Sequence, residues 1–355
     1  MPTVRFPNGY SREFPQGSRL ADVAVGVTGG GKKKLPPIAA LLDGKTVGLD
    51  APLPAEGETL IEWLFTGDAR ALPVMRHSAA HVMARAVMRL FPGVELAFGP
   101  TVGAGFYYDM RAPQPITDED LPRIEEEMRK IIAADEAFER VEVPRAEAAN
   151  IVRGINQPLK AEHIETGLAE HATLSFYRQG EFVDLCRGPH VPSPGCIGAF
   201  KLTSIAGAYW KGDANNAQLQ RLYGTAWFTQ EDLDAHLAAL EEARKRDHRV
   251  LGKQLDLFTT SPLVGSGLIL WMPKGALLRS TLEAFVRDEL AARGYQAVYT
   301  PHIGKIDLYK TSGHYPYYAD SQFKPIVMQE DEQYLLKPMN CPHHTMIYKA
   351  RPRSY

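Results

Sequence analysis

The sequence predicts a multidomain α+β protein, and three observations carry that expectation. At 355 residues the chain exceeds one ordinary domain and suits two or three. Short extended runs punctuated by glycine turns stand among separate helical stripes. A hydrophobic fraction of 45% with 23% charged residues is that of a chain that buries a core.

The first stretch, residues 1–62, reads as a small β-rich unit. Pro7-Asn8-Gly9 and Asp43-Gly44 are turn signals beside the extended runs Thr3–Phe6 and Lys45–Leu49, and Ser18 is placed to cap a short helix through Val27. Gly26–Lys33 nearly spells a phosphate-binding loop. Lys33 stands where the magnesium-binding Ser/Thr belongs, and Pro36-Pro37 blocks the helix that should follow, so this is a basic loop.

Residues 63–228 form the second stretch. A helix runs from Arg76 to Leu90, and Thr117 with Asp120 is a capping box for another helix whose stripe is Leu121, Ile124, Met128, Ile131 and Ile132. Gly103–Asp109, Phe176–Asp184 and Phe200–Tyr209 read as strands. Residues 229–252 form a linker whose helix runs to about 250, capped by Thr229, acidic at its start and basic at its end. The third stretch, 253–355, holds a helix near Ala276–Arg293 and a strand at Ala297–Thr300.

A net charge of −2 excludes an overall polycation, so any nucleic-acid contact must come from local basic patches. Cys186, Cys196 and Cys341 are too few for a disulfide framework and favour a reducing compartment. No secretory layout opens the chain and no apolar run approaches the roughly 18 residues of a membrane span, so a cytoplasmic protein with no membrane partner is expected.

Two distant segments read as halves of one site. His77 and His81 lie four apart on a helix and can aim both imidazoles at one spot; Ser78 stands where a zincin motif needs its glutamate. Asp184-Leu185-Cys186-Arg187-Gly188-Pro189-His190 holds Cys186 and His190 across a Gly-Pro turn. Three imidazoles and a thiol make either a zinc-like ligand set or a polar pocket for hydrolytic chemistry.

The stretch Lys337-Pro338-Met339-Asn340-Cys341-Pro342-His343-His344, with Lys310–His314 and Arg246-Asp247-His248, resembles the bacterial threonyl-tRNA synthetase family. His77–His81, Asp184–His190, Gly207–Trp210 and Tyr223–Trp227 look like that family's editing domain. The resemblance implies a β-grasp TGS domain at 1–62, an α/β editing domain at 63–228, a linker helix, and at 253–355 the first part of a class II antiparallel-sheet catalytic domain, with motif 1 and the Met-Asn-Cys-Pro strand.

It further implies that the full enzyme joins threonine to tRNA(Thr) with ATP and magnesium, dimerises through motif 1, and hydrolyses mischarged seryl-tRNA(Thr). His77, His81, Lys160, Asp184, Cys186 and His190 then serve editing, with Tyr108 lining the substrate pocket. Lys160 positions or activates water, Asp184 holds the substrate amine, and the pocket is metal-free. Cys341 is one ligand of the zinc ion in the synthetic site, the other two lying past Tyr355 with motifs 2 and 3, so editing alone is expected of these residues. His77→Ala and Lys160→Ala are expected to lose rate with little loss of fold. Two other readings stand: a free-standing, zinc-dependent trans-editing deacylase, which the stretch after 252 disfavours, and a non-enzymatic RNA-binding module with a closed structural zinc site.

Overall fold

The computed structural model describes residues 1–29, 35–329 and 332–352; the end of the phosphate-loop-like stretch, Gly30–Lys33, lies outside them. The chain divides into two units, Met1–Arg244 and Lys245–Tyr355, and several separate sheets with helices make the whole a mixed, α+β-type structure.

The first unit opens with β1 (Thr3–Arg5), β2 (Ser11–Glu13), α1 (Leu20–Val23), β3 (Ala39–Leu42), β4 (Lys45–Val47) and β5 (Glu58–Leu64). Their sheet runs β2-β1-β5-β3-β4, with β1 and β5 parallel and the other pairs antiparallel. The expected Ser18–Val27 helix is cut to one turn, because Gly26 takes a φ of +79° that ends helical geometry. β5 carries this sheet to Leu64, past position 62.

Next comes α2 (Leu72–Leu90), the centre of the unit. It is buried without a break from Ser78 to Val87, which is why it shows so little polar patterning: its neighbours cover it all round. α2 packs on α3 (Leu121–Ala134) and on a sheet of β6 (Glu95–Leu96), β7 (Thr101–Val102), β8 (Gly105–Arg111), β12 (Ala199–Tyr209) and β13 (Gln218–Trp227), ordered β12-β13-β8-β6 with β7 on β8. Its core joins Met75, Val82, Met83 and Val87 to Phe106, Met110, Ile124, Met128 and Leu222.

A second layer is the sheet β11-β10-β9, built from β9 (Glu139–Pro144), β10 (Thr173–Gln179) and β11 (Phe182–Leu185), with α4 (Arg145–Gly154) and α5 (Pro158–Thr166) against it. The sequence suggested one strand over Phe176–Asp184. The structure folds it into a hairpin, because Gly180 at φ +55° turns the chain and pairs Gln179 with Phe182. That hairpin lays Asp184 and Cys186 beside Tyr177 and Ser175.

The linker helix also differs from expectation. α6 (Gln230–Lys245) starts as predicted, with Asp232 N–H donating to Thr229 Oγ1. It then stops, and Asp247 accepts from Arg249 N–H to start α7 (His248–Gln254).

The second unit holds β14 (Phe258–Thr260), β15 (Ile269–Trp271), α8 (Pro273–Ala292), β16 (Ile303–Lys305), α9 (Ile306–Thr311), β17 (Ile326–Gln329), β18 (Glu332–Leu336) and α10 (Cys341–Lys349). Two expectations fail here. Ala297–Thr300 is no strand, since the ladder to β18 begins only at Ile303, opposite Leu336. Met339–Pro342 is not a strand either: β18 has ended, and Pro342 sits in the first turn of α10, where its missing N–H does no harm. Leu268, Ile269, Leu270 and Trp271 are exposed.

Candidate functional site

Seven of the eight residues singled out in the sequence meet in the first unit. His77 and His81 come from α2, Tyr108 from β8, Lys160 from α5, Asp184 from β11, and Cys186 and His190 from the turn after it. They lie in or against a cleft of about 730 Å³. The eighth, Cys341, is exposed in the second unit, and among the described residues no group of three metal-donor side chains includes it.

The His/Cys group is compact: one donor atom from each of His77, His81, Cys186 and His190 lies within 4.8 Å of the others. His77 Nε2 is 3.0 Å from Cys186 Sγ, and His190 Nε2 is 3.5 Å from it. Each ring's second nitrogen is accounted for differently. His77 Nδ1 meets the Gly99 carbonyl at 3.1 Å, and His190 Nδ1 meets Ser78 Oγ at 3.1 Å. For His81 it is Nε2 that faces an oxygen, Asp184 Oδ2 at 3.5 Å, while Nδ1 is buried with no partner.

Gly188 is required where it stands. Its φ is +73°, and a Cβ there would drive into the Tyr177 hydroxyl, so the turn joining Cys186 to His190 fits only a glycine. Tyr177 stacks at a tilt on His190, with centroids 4.3 Å apart, and donates to Asp50 Oδ2 at 2.7 Å. The first sheet's β4–β5 connection thereby braces the site.

Behind the imidazoles lies a buried ion pair. Lys160 contacts Asp184 Oδ1, Tyr108 OH donates to Asp184 Oδ2, and Lys160 Nζ reaches Tyr108 OH at 3.0 Å. All three side chains are buried, so removing Lys160 would leave the Asp184 carboxylate uncompensated, a cost to the fold that the sequence reading does not foresee.

Burial sets the protonation of the group. It pushes the Cys186 thiol up to about 12, with the Asp184 charge adding to it, so the sulfur is a thiol and not a thiolate. Burial also lowers His77, and drives His81 and His190 well below the usual imidazole range, aided by their neighbouring rings. Tyr108 is raised by burial and then by Asp184. The cleft therefore presents neutral imidazoles able to accept a proton, a neutral thiol, and one salt-bridged carboxylate.

Sequence reasoning missed Ser78, Asp50, Tyr177 and the Gly99 carbonyl. Ser78 had a signal, since it sits between the two histidines and faces His190 from within α2. It also donates to the Val74 carbonyl at 2.9 Å and accepts from Val191 N–H at 3.0 Å. The other three act across the fold and leave no spacing to read.

Residues 174–223, which include β10 from its second residue, the Cys186–His190 turn and β12, match the family described as "Threonyl and Alanyl tRNA synthetase second additional domain". The match likens this stretch to the aminoacyl-tRNA synthetases that carry the domain. Over nearly its whole length the chain is homologous to the bacterial threonine–tRNA ligases. That of Rhodopirellula baltica is 48% identical over 414 residues, covering 99% of this chain and 56% of its own length. That of Geobacillus kaustophilus is 50% identical over 353 residues, covering 99% and 53%. This chain spans about half the length of the curated relatives it matches. A solved RNA binding domain of threonyl-tRNA synthetase from Cryptosporidium parvum Iowa II is 41% identical over 31% of this chain and 27% of its own, with a TM-score of 0.29. Among the described residues no helix is long and apolar enough to cross a membrane.

Proposed function

We propose that the cleft hydrolyses the ester of mischarged seryl-tRNA(Thr). The observation that carries this is the convergence of neutral imidazoles and the Lys160–Asp184–Tyr108 group on one cleft. Asp184 keeps lone pairs free beyond those it gives Lys160 and Tyr108, and these suit the substrate's ammonium. A water held by Lys160 and a neutral imidazole, His77 or His81, can attack the ester carbonyl while the imidazole takes its proton. With Cys186 protonated, an acyl-enzyme on sulfur is disfavoured, and the thiol serves to shape and hydrogen-bond the pocket. Tyr108 closes the wall.

Such a pocket answers a problem of magnitudes. Serine differs from threonine by a methyl, worth about 1–3 kcal/mol in a synthetic site, and a second site that excludes the bulkier ester supplies the rest. Deacylation assays test the reading: purified protein should clear seryl-tRNA(Thr) much faster than threonyl-tRNA(Thr), and hydrolysis of neither, or of both alike, refutes it.

The wider setting is inferred on the same footing. The β2-β1-β5-β3-β4 order supports a ubiquitin-like TGS reading of residues 1–62, and 63–228 is the editing domain, joined by the 229–252 linker to the start of a class II catalytic domain at 253–355. We assign these residues the hydrolytic step. Ligation of threonine with ATP and magnesium, the zinc ion to which Cys341 would contribute, dimerisation through α8 and residence in the cytoplasm belong to the whole enzyme.

A second reading has its own support. Each of the three imidazoles has one nitrogen set against an oxygen, and the other is free to turn toward Cys186, the outer arrangement that orients metal-bound histidines. A set of three imidazole nitrogens and one sulfur suits a tetrahedral zinc, and the unpartnered His81 Nδ1 fits it. Bound there by His77, His81, Cys186 and His190, zinc would be a closed structural centre. Metal analysis decides: a full equivalent that disappears in Cys186→Ser supports this reading, and metal-free active protein rejects it.

A further inference from the structure

We propose that Arg187 binds the phosphodiester that precedes the terminal nucleoside of the RNA whose ester enters the cleft. This rests on the hydrolytic reading of the same cleft and gives it a second anchor point, outside the reacting group.

The cleft is lined by two arginines and one lysine. Lys160 is committed to Asp184, and Arg140 to Glu142 at 2.6 Å and Asp50 at 3.7 Å. Arg187 is exposed, and among the described residues its side chain forms no ion pair or hydrogen bond. In this unit the other cleft cations show how readily a partner is found when a carboxylate is near, so an arginine left open at the mouth is placed for a ligand's anion. Its surroundings fit a phosphate rather than a carboxylate-bearing partner. The two carboxylates that line the cleft are already taken, Glu142 by Arg140 and Asp184 by Lys160, while His163, lowered by burial and then by the Lys160, Lys211 and Arg187 charges, lines it as a neutral ring.

Position gives the ligand's identity. Arg187 follows Cys186 directly, and successive Cα atoms are about 3.8 Å apart, so its guanidinium swings from the same turn that presents the thiol. An aminoacyl ester held at His77 and Asp184 carries its nearest negative charge on the phosphate 5′ of its own nucleoside, one nucleotide-length away. A planar, forked guanidinium suits that group better than a lysine.

The test compares esters with and without that phosphate. Wild-type protein and Arg187→Gln are assayed on seryl-tRNA, on seryl-adenosine, and on its 5′-phosphorylated form. The substitution should raise KM roughly tenfold for the two phosphate-bearing esters, leave kcat unchanged, and leave seryl-adenosine unaffected. Arg187→Lys should restore part of the loss. Equal loss on all three esters, or no loss on any, overturns the assignment. A binding measurement separates this from failure of hydrolysis itself. A stable amide analogue of seryl-adenosine should bind wild type more tightly with its 5′-phosphate than without, and the preference should vanish in Arg187→Gln. Equal binding of the two analogues by wild type refutes the phosphate site even where hydrolysis is seen. A clear preference in a protein that hydrolyses nothing keeps the phosphate site and rejects the hydrolase.

Discussion

In the first unit, His77 and His81 come from the middle of a buried helix and meet Cys186 and His190 from a turn far along the chain, each ring set against a neighbour. In the second, Cys341, His343 and His344 come from a single turn of α10. There Cys341 is exposed, while His343 is buried and spent on the Tyr309 hydroxyl at 2.9 Å. Both motifs are rich in donors by composition, three histidines and a cysteine in the first and two histidines and a cysteine in the second. What separates them is convergence: a site forms where distant segments are forced together by a common core and where buried groups fix the rings. The units differ in the same way in packing. α2 is buried without a break from Ser78 to Val87, whereas Leu277, Leu282, Phe285 and Val286 of α8 are more than half exposed.

The sharpest break of this comparison is Asp184→Ala. It leaves Lys160 and Tyr108 buried without their carboxylate, and removing one partner of a buried pair destabilises by about 3–5 kcal/mol. Urea unfolding should show that loss together with loss of hydrolysis. The matching exposed pair, Arg279–Glu283 on α8, should yield only about 0.3–0.5 kcal/mol in Glu283→Ala. Equal effects would mean that burial is not what distinguishes the two units.

The exposed α8 face gives the next effect. Each large apolar side chain taken from water is worth about 1.5–3 kcal/mol, so a second copy covering several of them gains several such increments against the cost of association. Light scattering should show concentration-dependent association that the double variant Leu282→Glu, Phe285→Glu removes and Asp184→Asn does not. A monomer at every concentration would contradict it.

Acid provides a smaller effect. Arg85, then Arg89, hold Glu181 below the usual carboxylate range, against the opposing pull of its partial burial. A carboxylate lowered in the folded state binds fewer protons there than in the unfolded chain, so its stabilisation is present above about 4.5 and is lost as pH falls below it. Stability measured between pH 6 and 3 should fall less steeply in Glu181→Gln than in wild type; parallel curves would show that the pair contributes nothing.

The histidine pair was legible because four-residue spacing on a helix is a local property, and the Cys186–His190 turn because Gly-Pro marks it. Tyr108 and Lys160 were legible only through family resemblance, since β8, α5 and β11 bring their side chains together across 76 residues and no periodicity records a buried charge. The hairpin at Gly180 was hidden in an apolar run whose only break is one glycine. Met339–Pro342 was a strand by family resemblance only, and its residues carry no local pattern against the helix that opens at Cys341. Local chemistry announces donors; the supports that fix them, such as Asp50 under Tyr177, exist only after the fold does.

The same hydroxyl bond occurs beside both motifs, and it gives the finest comparison. Ser78 Oγ donates to the carbonyl four residues back, Val74, at 2.9 Å; Thr345 Oγ1 does so to Cys341 at 3.0 Å. A bond of this kind in an exposed helix is replaced by water when lost, and Thr345→Ala should shift stability by less than about 0.5 kcal/mol. Ser78 is fully buried and its oxygen also takes Val191 N–H and faces His190 Nδ1. In Ser78→Ala a buried N–H and a buried ring nitrogen lose their partner, so the loss should reach about 1–3 kcal/mol. The His190 ring, no longer held from behind, should also drift from Cys186 and slow hydrolysis more than stability alone explains. Thermal unfolding and deacylation of the two variants measure both parts. Should Ser78→Ala behave like Thr345→Ala, the rings would be held by packing alone, and the oxygen partners behind them would be incidental to the site.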